Sequence, residues 1–192
     1  MIEIISGTDR PQSNTRKIAS LLEDLYRGLK VDTHIIDLHK MDLTDCVGGE
    51  YYKGAKGTYR EAVERVTAAE GVVFVVPEYN GSYPGALKLF IDYWKYPETF
   101  EYRPMAFVGL GGRWGGLRPV EHLQQVVGYR NAYVFPNRVF ISNIKDVFRD
   151  GVIIDALVAN LLQIQSQEFL RFVRGLKSEK LDANSRRAGS LK

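Results

Sequence analysis

The sequence predicts a single α/β domain in which a parallel sheet carries helices on both faces. Short runs of β-branched and other apolar residues suit strands that are covered on both sides. These runs alternate with segments whose apolar residues recur at helical spacing. Strands and helices that alternate on connections of this length favour parallel pairing. The length of 192 residues is about that of one domain.

An apolar run at residues 2–5 predicts the first strand, and an amphipathic segment after it predicts the first helix. Gly28 is placed to end this helix. The β-branched content of residues 31–38 predicts the second strand. The apolar face of the helix consists of Ile18, Leu21, Leu22 and Leu25.

A long loop and a second helix come before the central strand. Residues 39–57 contain four glycines and predict a loop of a length that is usually functional or mobile. Thr58 and Glu61 form a capping-box pattern that predicts the start of the helix. Five consecutive apolar residues at 72–76 predict a strand buried on both faces, which stops at Pro77.

The second half of the chain continues the alternation of strands and helices, and it ends in a polar segment. We expect the domain to span residues 1–176 and to be followed by a basic, partly disordered tail at 177–192. The elements predicted here are a helix face at 87–94, a strand at 105–110, a glycine-rich loop at 111–116, a helix face at 120–127, a strand at 132–135 with a continuation at 139–141, and a closing helix at 153–173.

The composition excludes several classes of protein. Hydrophobic residues make up 45% of the chain and charged residues 26%, which is typical of globular proteins. No apolar run approaches the roughly 20 residues that span a bilayer, and the first residues lack the features of a signal peptide. A single cysteine, Cys46, excludes an intrachain disulfide framework and is typical of a reducing compartment. With a net charge of only +3, we expect a cytoplasmic protein that binds neither membrane nor nucleic acid.

Ligands of parallel α/β sheets bind outside the carboxyl ends of the strands. The first of the loops there contains hydroxyls, amides and Arg10 ahead of a helix N-terminus, a combination that predicts a phosphate site. The loop has neither a Walker A sequence nor a G-x-G-x-x-G turn, which disfavours a nucleoside triphosphatase. Helix capping by Ser13 or Asn14 explains this loop alone equally well. Three loops follow predicted strands at this edge: residues 6–15, 77–84 and 111–116.

The second and third loops suit a flat heterocycle. Residues 77–84 are more polar than a connection requires, although Asn80-Gly81 is also an ordinary turn dipeptide. Residues 111–116 hold four glycines, whose backbone N–H groups can approach a ligand, and Arg113, which favours negative charge. Because all three loops fall at one edge of one sheet, we expect a shared site.

These loops resemble those of the NADPH-dependent FMN reductase family, which includes quinone, azo-dye and chromate reductases. The resemblance covers residues 1–145. Its most specific part is Pro77-Glu78-Tyr79-Asn80-Gly81-Ser82, followed by Pro84-Gly85-Ala86-Leu87-Lys88 and Ile91-Asp92. The resemblance implies a flavodoxin-like three-layer sandwich with strand order 2-1-3-4-5, bound FMN, and NADPH or NADH as co-substrate.

The same resemblance implies the residues of the site. The flavin would carry the chemistry, so no residue is expected to act as a general acid or base. Trp114 looks inserted into a glycine loop that is tighter in the family. The FMN phosphate would be held by Thr8, Arg10, Ser13, Asn14 and Thr15. The isoalloxazine would be lined by Pro77, Glu78, Tyr79, Asn80, Gly81 and Ser82, and by Gly111, Gly112, Arg113, Trp114 and Gly115.

The implied activity is hydride transfer from NAD(P)H through FMN to a small acceptor such as a quinone, free flavin, azo compound or metal oxyanion. A flavodoxin-type electron carrier is the alternative, but such carriers dock through acidic surfaces and the net charge is +3. A second alternative is a regulatory or structural protein of the same fold, whose pocket is empty or is blocked by Trp114.

Aromatic residues between Tyr93 and Tyr102 predict core packing or a subunit interface. The resemblance implies a homodimer or homotetramer. The three histidines show no metal-ligand spacing, so no metal site is expected.

Overall fold

A parallel sheet forms the centre of the molecule. Its strands are β1 (Ile2–Ser6), β2 (Thr33–Asp37), β3 (Gly71–Pro77), β4 (Pro104–Gly111), β5 (Tyr133–Val134) and β6 (Val139–Ser142). They lie in the order β2-β1-β3-β4-β5, and β6 also pairs with β4. Every pairing in this sheet is parallel, and Ile4 of β1 lies opposite Ile35 on one side and Val73 on the other. The flavodoxin-like fold with strand order 2-1-3-4-5 is therefore confirmed.

The structure is a computed structural model that describes residues 1–46, 51–149 and 151–190. Within these residues, the side chains of Leu43, Cys46, Tyr52 and Ser190 are not described. The pair Gly48-Gly49 of the predicted loop, the last two residues of the predicted tail and the thiol of Cys46 thus lie outside the described part of the chain.

Helices cover both faces of the sheet. Side chains of α2, α3 and α4 pack on one face, and those of α1 and α6 pack on the other. In β3, Phe74 faces the first group, whereas Val73 and Val75 face the second, so the strand is buried on both sides as its apolar run predicted. The helices are α1 (Asn14–Gly28), α2 (Gly57–Ala68), α3 (Gly85–Asp92), α4 (Leu117–Gly128), α5 (Ile144–Val147), α6 (Ala156–Ser178) and α7 (Ala183–Ser190).

The prediction that Thr58 caps the second helix is wrong. Helix α2 begins at Gly57, and Lys56 at its N-cap position makes no side-chain cap bond. A carboxylate from the preceding loop caps the helix instead: Asp45 Oδ2 accepts hydrogen bonds from the Thr58 backbone N–H, at 3.0 Å, and from the Thr58 hydroxyl, at 3.2 Å. The capping group is distant in the chain, so the local sequence pattern placed the cap one position inside the helix.

The fifth strand is interrupted. Residues 133–134 pair with the start of β4 and residues 139–142 with its end, as the predicted continuation suggested. Between these two parts, at residues 135–138, a side chain of α6 makes hydrogen bonds to the backbone. The Gln165 side chain donates to Phe107 O at 2.9 Å and to Asn137 O at 2.8 Å.

The segment before the closing helix contains structure that the sequence did not predict. It comprises the short helix α5 and an antiparallel hairpin, β7 (Phe148–Arg149) with β8 (Val152–Ile153). As a result α6 begins at Ala156, with Asp155 as its N-cap, and not at residue 153.

The C-terminal segment differs from the loose tail expected from its composition. Helix α6 continues to Ser178, and α7 follows. Asp182 and Ala183 are buried, and the backbone N–H of Ala183 donates to Tyr102 O at 3.0 Å. Polar contacts hold this segment, because Asn184 Nδ2 donates to Ala68 O at 3.0 Å and Arg187 Nη2 donates to Thr67 O at 2.7 Å.

The aromatic run contributes mainly to the core. Tyr93, Trp94 and Phe100 are buried, whereas Tyr96 is 59% exposed. Core packing is therefore confirmed for the three buried rings. In the described part of the chain, every helix is too short or too polar to cross a membrane.

Candidate functional site

A cleft of about 730 Å³ opens at the carboxyl ends of β1, β3 and β4. Cofactor sites commonly have volumes of roughly 300–1,000 Å³. All three predicted loops contribute to it, and a fourth segment does so as well. The lining residues are 10–15, 77–79, 110–112 and 143–146.

The first loop brings the N-terminus of α1 to the cleft. Ser13 is the N-cap of α1, and its hydroxyl accepts from the Arg16 N–H at 3.1 Å, so the capping interpretation of this residue is confirmed. The first turn carries no acidic side chain. Gln12 has a φ of 51°, which turns the chain into the helix. The free N–H groups of a helix N-terminus together with exposed Arg10 make this end of the cleft suitable for an anion.

Thr8 does not line the cleft. It is fully buried, and its hydroxyl lies 2.8 Å from the Tyr79 hydroxyl and accepts from the Arg10 N–H at 3.2 Å. Thr8 thus links the first loop to the second, whereas Tyr79 itself lines the cleft. In this arrangement Thr8 fixes the positions of groups that can contact a ligand.

The second loop contains a tight turn. Tyr79 and Ser82 exchange backbone hydrogen bonds at 2.8 and 3.1 Å, and Asn80 and Gly81 between them have φ values of 49° and 79°. Positive φ at both central residues is typical of a type I′ turn. The Ser82 hydroxyl lies 2.9 Å from His122 Nδ1. The turn interpretation of Asn80-Gly81 is therefore confirmed, and these residues with Ser82 lie beyond the cleft lining, while Pro77, Glu78 and Tyr79 belong to it.

The glycines of the third loop mainly allow the backbone to pack against β4. A Cβ atom on Gly116 would lie 2.5 Å from Leu110 N, and one on Gly111 would lie 2.6 Å from Gly116 N. Gly115 and Gly116 also have positive φ values of 58° and 79°. At Gly112, by contrast, a Cβ atom would meet open space, and this residue lines the cleft. Gly111 and Gly112 can therefore both face a ligand, whereas the tight packing at Gly111, Gly115 and Gly116 is needed for the fold of the loop.

Trp114 lies outside the cleft lining. It is 58% exposed, and the Arg113 guanidinium carbon lies 4.9 Å from the centroid of its ring. Neither residue is among those that line the cleft, nor is Gly115. The indole therefore does not fill the cleft, contrary to the blocked-pocket alternative.

A fourth wall of the cleft was missed by sequence reasoning. Asn143, with a φ of 47°, follows β6, and its N–H donates to Gly111 O at 3.0 Å. This bond brings Ile144, Lys145 and Asp146 to the cleft. The sequence does contain a signal for this segment, because Asn143 directly follows the carboxyl end of β6, and ligands of such sheets bind beyond the carboxyl ends of the strands. It was overlooked because the fifth strand is split and its second part was treated as a minor continuation.

The ionisable groups of the cleft balance in charge. Arg10 and Lys145 supply two positive charges, and Glu78 and Asp146 supply two negative ones. Within the described residues, no group of three or more His, Cys, Asp and Glu side chains is arranged to hold a metal ion.

The donor set fits FMN, with a phosphate at the α1 end and a planar ring between the second and third loops. A helix N-terminus and a guanidinium complement a phosphate. Pro77, Tyr79 and Gly112 offer flat or open surfaces further along the cleft.

Comparison with known proteins gives matches over most of the chain. The sequence profile of the NADPH-dependent FMN reductase family matches residues 1–146. An NAD(P)H-dependent FMN reductase of Pseudomonas aeruginosa is 33% identical over 119 residues, which are 59% of this chain and 64% of that protein. This chain thus spans less than two thirds of that relative. An NADPH azoreductase of a Bacillus species is 28% identical over 142 residues, 73% of this chain and 76% of that protein.

Solved structures show the same fold. The flavoenzyme FerB, an NAD(P)H:(acceptor) oxidoreductase from Paracoccus denitrificans, superposes with a TM-score of 0.76. The superposition covers 91% of this chain and 97% of FerB at 20% sequence identity, a level at which the likeness shows the fold alone.

Proposed function

This chain belongs to the NADPH-dependent FMN reductase family, an oxidoreductase family that uses FMN and NAD(P)H, and we propose that it passes hydride from NAD(P)H to a small acceptor with FMN bound in the cleft. The observation that carries the proposal is the convergence of the α1 N-terminus and two loops on one cleft at the carboxyl ends of β1, β3 and β4. When bound, FMN supplies the two-electron chemistry. The chain supplies binding and orientation.

The phosphate of FMN would be held at the α1 end of the cleft. Arg10 offers a charge-assisted hydrogen bond, and the backbone of Asn14 and Thr15 offers helix N-terminal N–H groups. Ser13 Oγ accepts the capping bond from the Arg16 N–H, and its O–H can still donate to the phosphate. Thr8 acts indirectly, by holding Tyr79.

The isoalloxazine would be held between Pro77, Glu78 and Tyr79 of the second loop and Gly111 and Gly112 of the third. The remaining predicted residues of these loops have supporting or peripheral positions. Asn80, Gly81 and Ser82 form the turn that fixes the second loop, Gly115 fixes the third, and Arg113 and Trp114 lie at its tip.

Small molecules are the acceptors that fit an open cleft of this size. Quinones, free flavins, azo compounds and metal oxyanions are all candidates, and the names of the Pseudomonas and Bacillus relatives support flavins and azo compounds. We also propose a homodimer or homotetramer, supported by exposed apolar side chains such as Val152 and Leu157, and a cytoplasmic location, supported by the single cysteine.

Flavin binding and reduction test the proposal directly. The purified protein is equilibrated with FMN, freed of excess by gel filtration, and mixed anaerobically with NADPH or NADH while the visible flavin absorbance is recorded. We expect about one FMN per chain and rapid bleaching, followed by recovery of the colour when a quinone is added. A protein that retains no FMN would contradict the proposal. Retention of FMN without bleaching by either nucleotide would instead support the electron-carrier alternative.

A further inference from the structure

The third loop presents an arginine and a tryptophan to solvent, directly after a residue that lines the cleft. Gly112 lines the cleft, and Arg113 and Trp114 follow it directly. Trp114 is 58% exposed, and the Arg113 guanidinium stacks over its ring at 4.9 Å. A cation on one face of an indole restrains the ring and leaves the other face available for stacking.

The backbone beneath these side chains is held against the sheet. The Gly115 N–H donates to Gly112 O at 3.3 Å, and the Leu117 N–H donates to Trp114 O at 3.0 Å. A Cβ atom on Gly116 would lie 2.5 Å from Leu110 N, so the loop already touches β4 and cannot move further inward. The exposed indole is therefore mounted on a fixed backbone, which lowers the entropic cost of binding a ligand.

A second arginine joins this loop to the second one. Arg118 lies in the first turn of α4, and its Nη1 atom is 3.2 Å from the position of a Cβ atom on Gly81. Its guanidinium thus borders the turn that follows Tyr79. We call Arg113, Trp114 and Arg118 the acceptor rim.

The acceptor rim contains two arginines whose positive charges are not used in ion pairs with any described residue. Among the described residues, neither Arg113 nor Arg118 forms an ion pair, and the neighbouring acid on α4, Glu121, pairs with Arg138. The charges that line the cleft itself cancel. The two arginines therefore add positive charge beside a cleft whose own lining charges balance, and we expect a positive potential there.

From these contacts we infer that the acceptor rim selects planar aromatic acceptors that carry a negative charge, such as aryl sulfonates and carboxylates, over neutral acceptors of the same shape. The inference rests on the proposed function, whose substrate class it narrows. Trp114 supplies a stacking surface for the ring, and Arg113 and Arg118 supply charge-assisted hydrogen bonds to the anion. These three residues determine specificity and take no part in the chemistry.

The potential at the rim can be measured with Trp114 as the probe. The chain has two tryptophans, and Trp94 is only 5% exposed, so ionic quenchers in water report on Trp114. We expect the ratio of the iodide to the caesium quenching constant to exceed the ratio measured for free N-acetyltryptophanamide. The double variant Arg113→Gln, Arg118→Gln should remove this preference. A control double variant, Arg171→Gln, Arg174→Gln, removes the same charge from exposed positions on α6 and should retain it. An equal effect of the two double variants would overturn the inference.

Selection is tested by calorimetric titration of the FMN-equilibrated protein with naphthalene-2-sulfonate and with neutral naphthalene-2-methanol. We expect the rim double variant to lower the affinity for the sulfonate about 3- to 10-fold, the size of effect expected for two exposed ion pairs. The affinity for the alcohol should fall by less than about 2-fold, because the alcohol carries no charge. Trp114→Ser should weaken the binding of both ligands, and Trp114→Phe should restore part of the loss.

Because both probes are redox-inert, failure of FMN reduction would contradict the proposed function without affecting this test. Equal losses for both probes in the rim variant, or no binding of the sulfonate to the unchanged protein, would overturn the inference.

Discussion

Arg10 is the cation that the first loop places at the α1 end of the cleft. If it holds the FMN phosphate, Arg10→Ala should weaken FMN by about 1–2 kcal/mol, near the low end for a charge-assisted bond because the side chain is exposed. Riboflavin, which lacks the phosphate, should be affected much less. Quenching of flavin fluorescence in parallel titrations measures both affinities, and Lys17→Gln, an exposed position on α1 outside the cleft, is the matched control. Equal weakening of the two flavins would show that Arg10 does not contact the phosphate.

Glu3 provides a test of stability against pH. Its side chain is fully buried in β1 and paired with Arg65, with Oε2 at 2.6 Å from Nη2. Burial raises the pKa of the Glu3 carboxyl above its ordinary value of 4.5, although Arg65 opposes the shift. The folded protein therefore binds this proton more tightly than the unfolded chain does. The contribution of Glu3 to the free energy of unfolding is full below pH 4.5 and is lost as the pH rises through the folded pKa.

Replacing Glu3 by Gln should remove this dependence. Denaturant unfolding of both proteins at a series of pH values from 4 to 8 measures it, and the difference in unfolding free energy should change as the pH rises above 4.5, until the pH has passed the folded pKa of Glu3. A constant difference across the whole range would contradict the shifted pKa.

Some roles of individual residues follow from sequence, and others do not. Arg10, Tyr79 and Gly112 lie at the cleft as expected, because each belongs to a loop that follows the carboxyl end of a strand. Thr8 was expected to face the ligand, but whether a short hydroxyl side chain points outward or into a neighbouring loop depends on a tertiary contact, here with the Tyr79 hydroxyl. Lys145 was missed because the fifth strand is split, so the loop after its second part, which the hydrogen bond from Asn143 to Gly111 holds at the cleft, was not treated as a strand-end loop.

At the scale of elements, two glycines of the third loop have different expected roles. Gly116→Ala places a Cβ atom 2.5 Å from Leu110 N at a φ of 79°, so it should destabilise the fold by about 2 kcal/mol or more. Gly112→Ala meets open space and should change stability by no more than about 0.5 kcal/mol. It should nevertheless weaken FMN if the backbone there contacts the ring. Thermal unfolding and FMN titration of both variants separate the two roles; similar destabilisation by both would contradict the packing argument.

The sequence predicts an element well where its residues form a continuous buried apolar run, and poorly where long-range contacts determine where the element begins or whether it forms. The apolar run of β3 fixes a buried strand regardless of its neighbours. The start of α2 depends on Asp45, and the hairpin of β7 and β8 contains only two residues in each strand. Neither feature has a local periodicity that the sequence could show.

At the scale of the whole molecule, the exposed apolar side chains predict self-association. Val152, Ile154 and Leu157 are 60%, 50% and 66% exposed and lie close together in the chain, at β8 and the start of α6. Light scattering at micromolar concentration should give at least twice the chain mass of 21.8 kDa, because an apolar patch on a monomer is usually covered by a partner. Leu157→Glu should lower the measured mass if this patch is the contact, and Tyr129→Glu, at an 80% exposed position on the opposite face of the sheet, is the control. A mass near one chain for the unchanged protein would contradict the prediction.

The gap in the fifth strand has a consequence for the order in which the molecule opens. At this gap the Gln165 side-chain amide, and not a strand, donates a hydrogen bond to the β4 backbone. Its acceptor, the carbonyl of Phe107, is 58 positions away along the chain. The carbonyls of Phe107 and Asn137 both accept from the Gln165 amide when α6 is docked, so β5, β6 and α6 depend on one another. Amide hydrogens in these three elements should therefore exchange with solvent deuterium at a common opening free energy, as one cooperative unit, while β2 at the opposite edge exchanges independently.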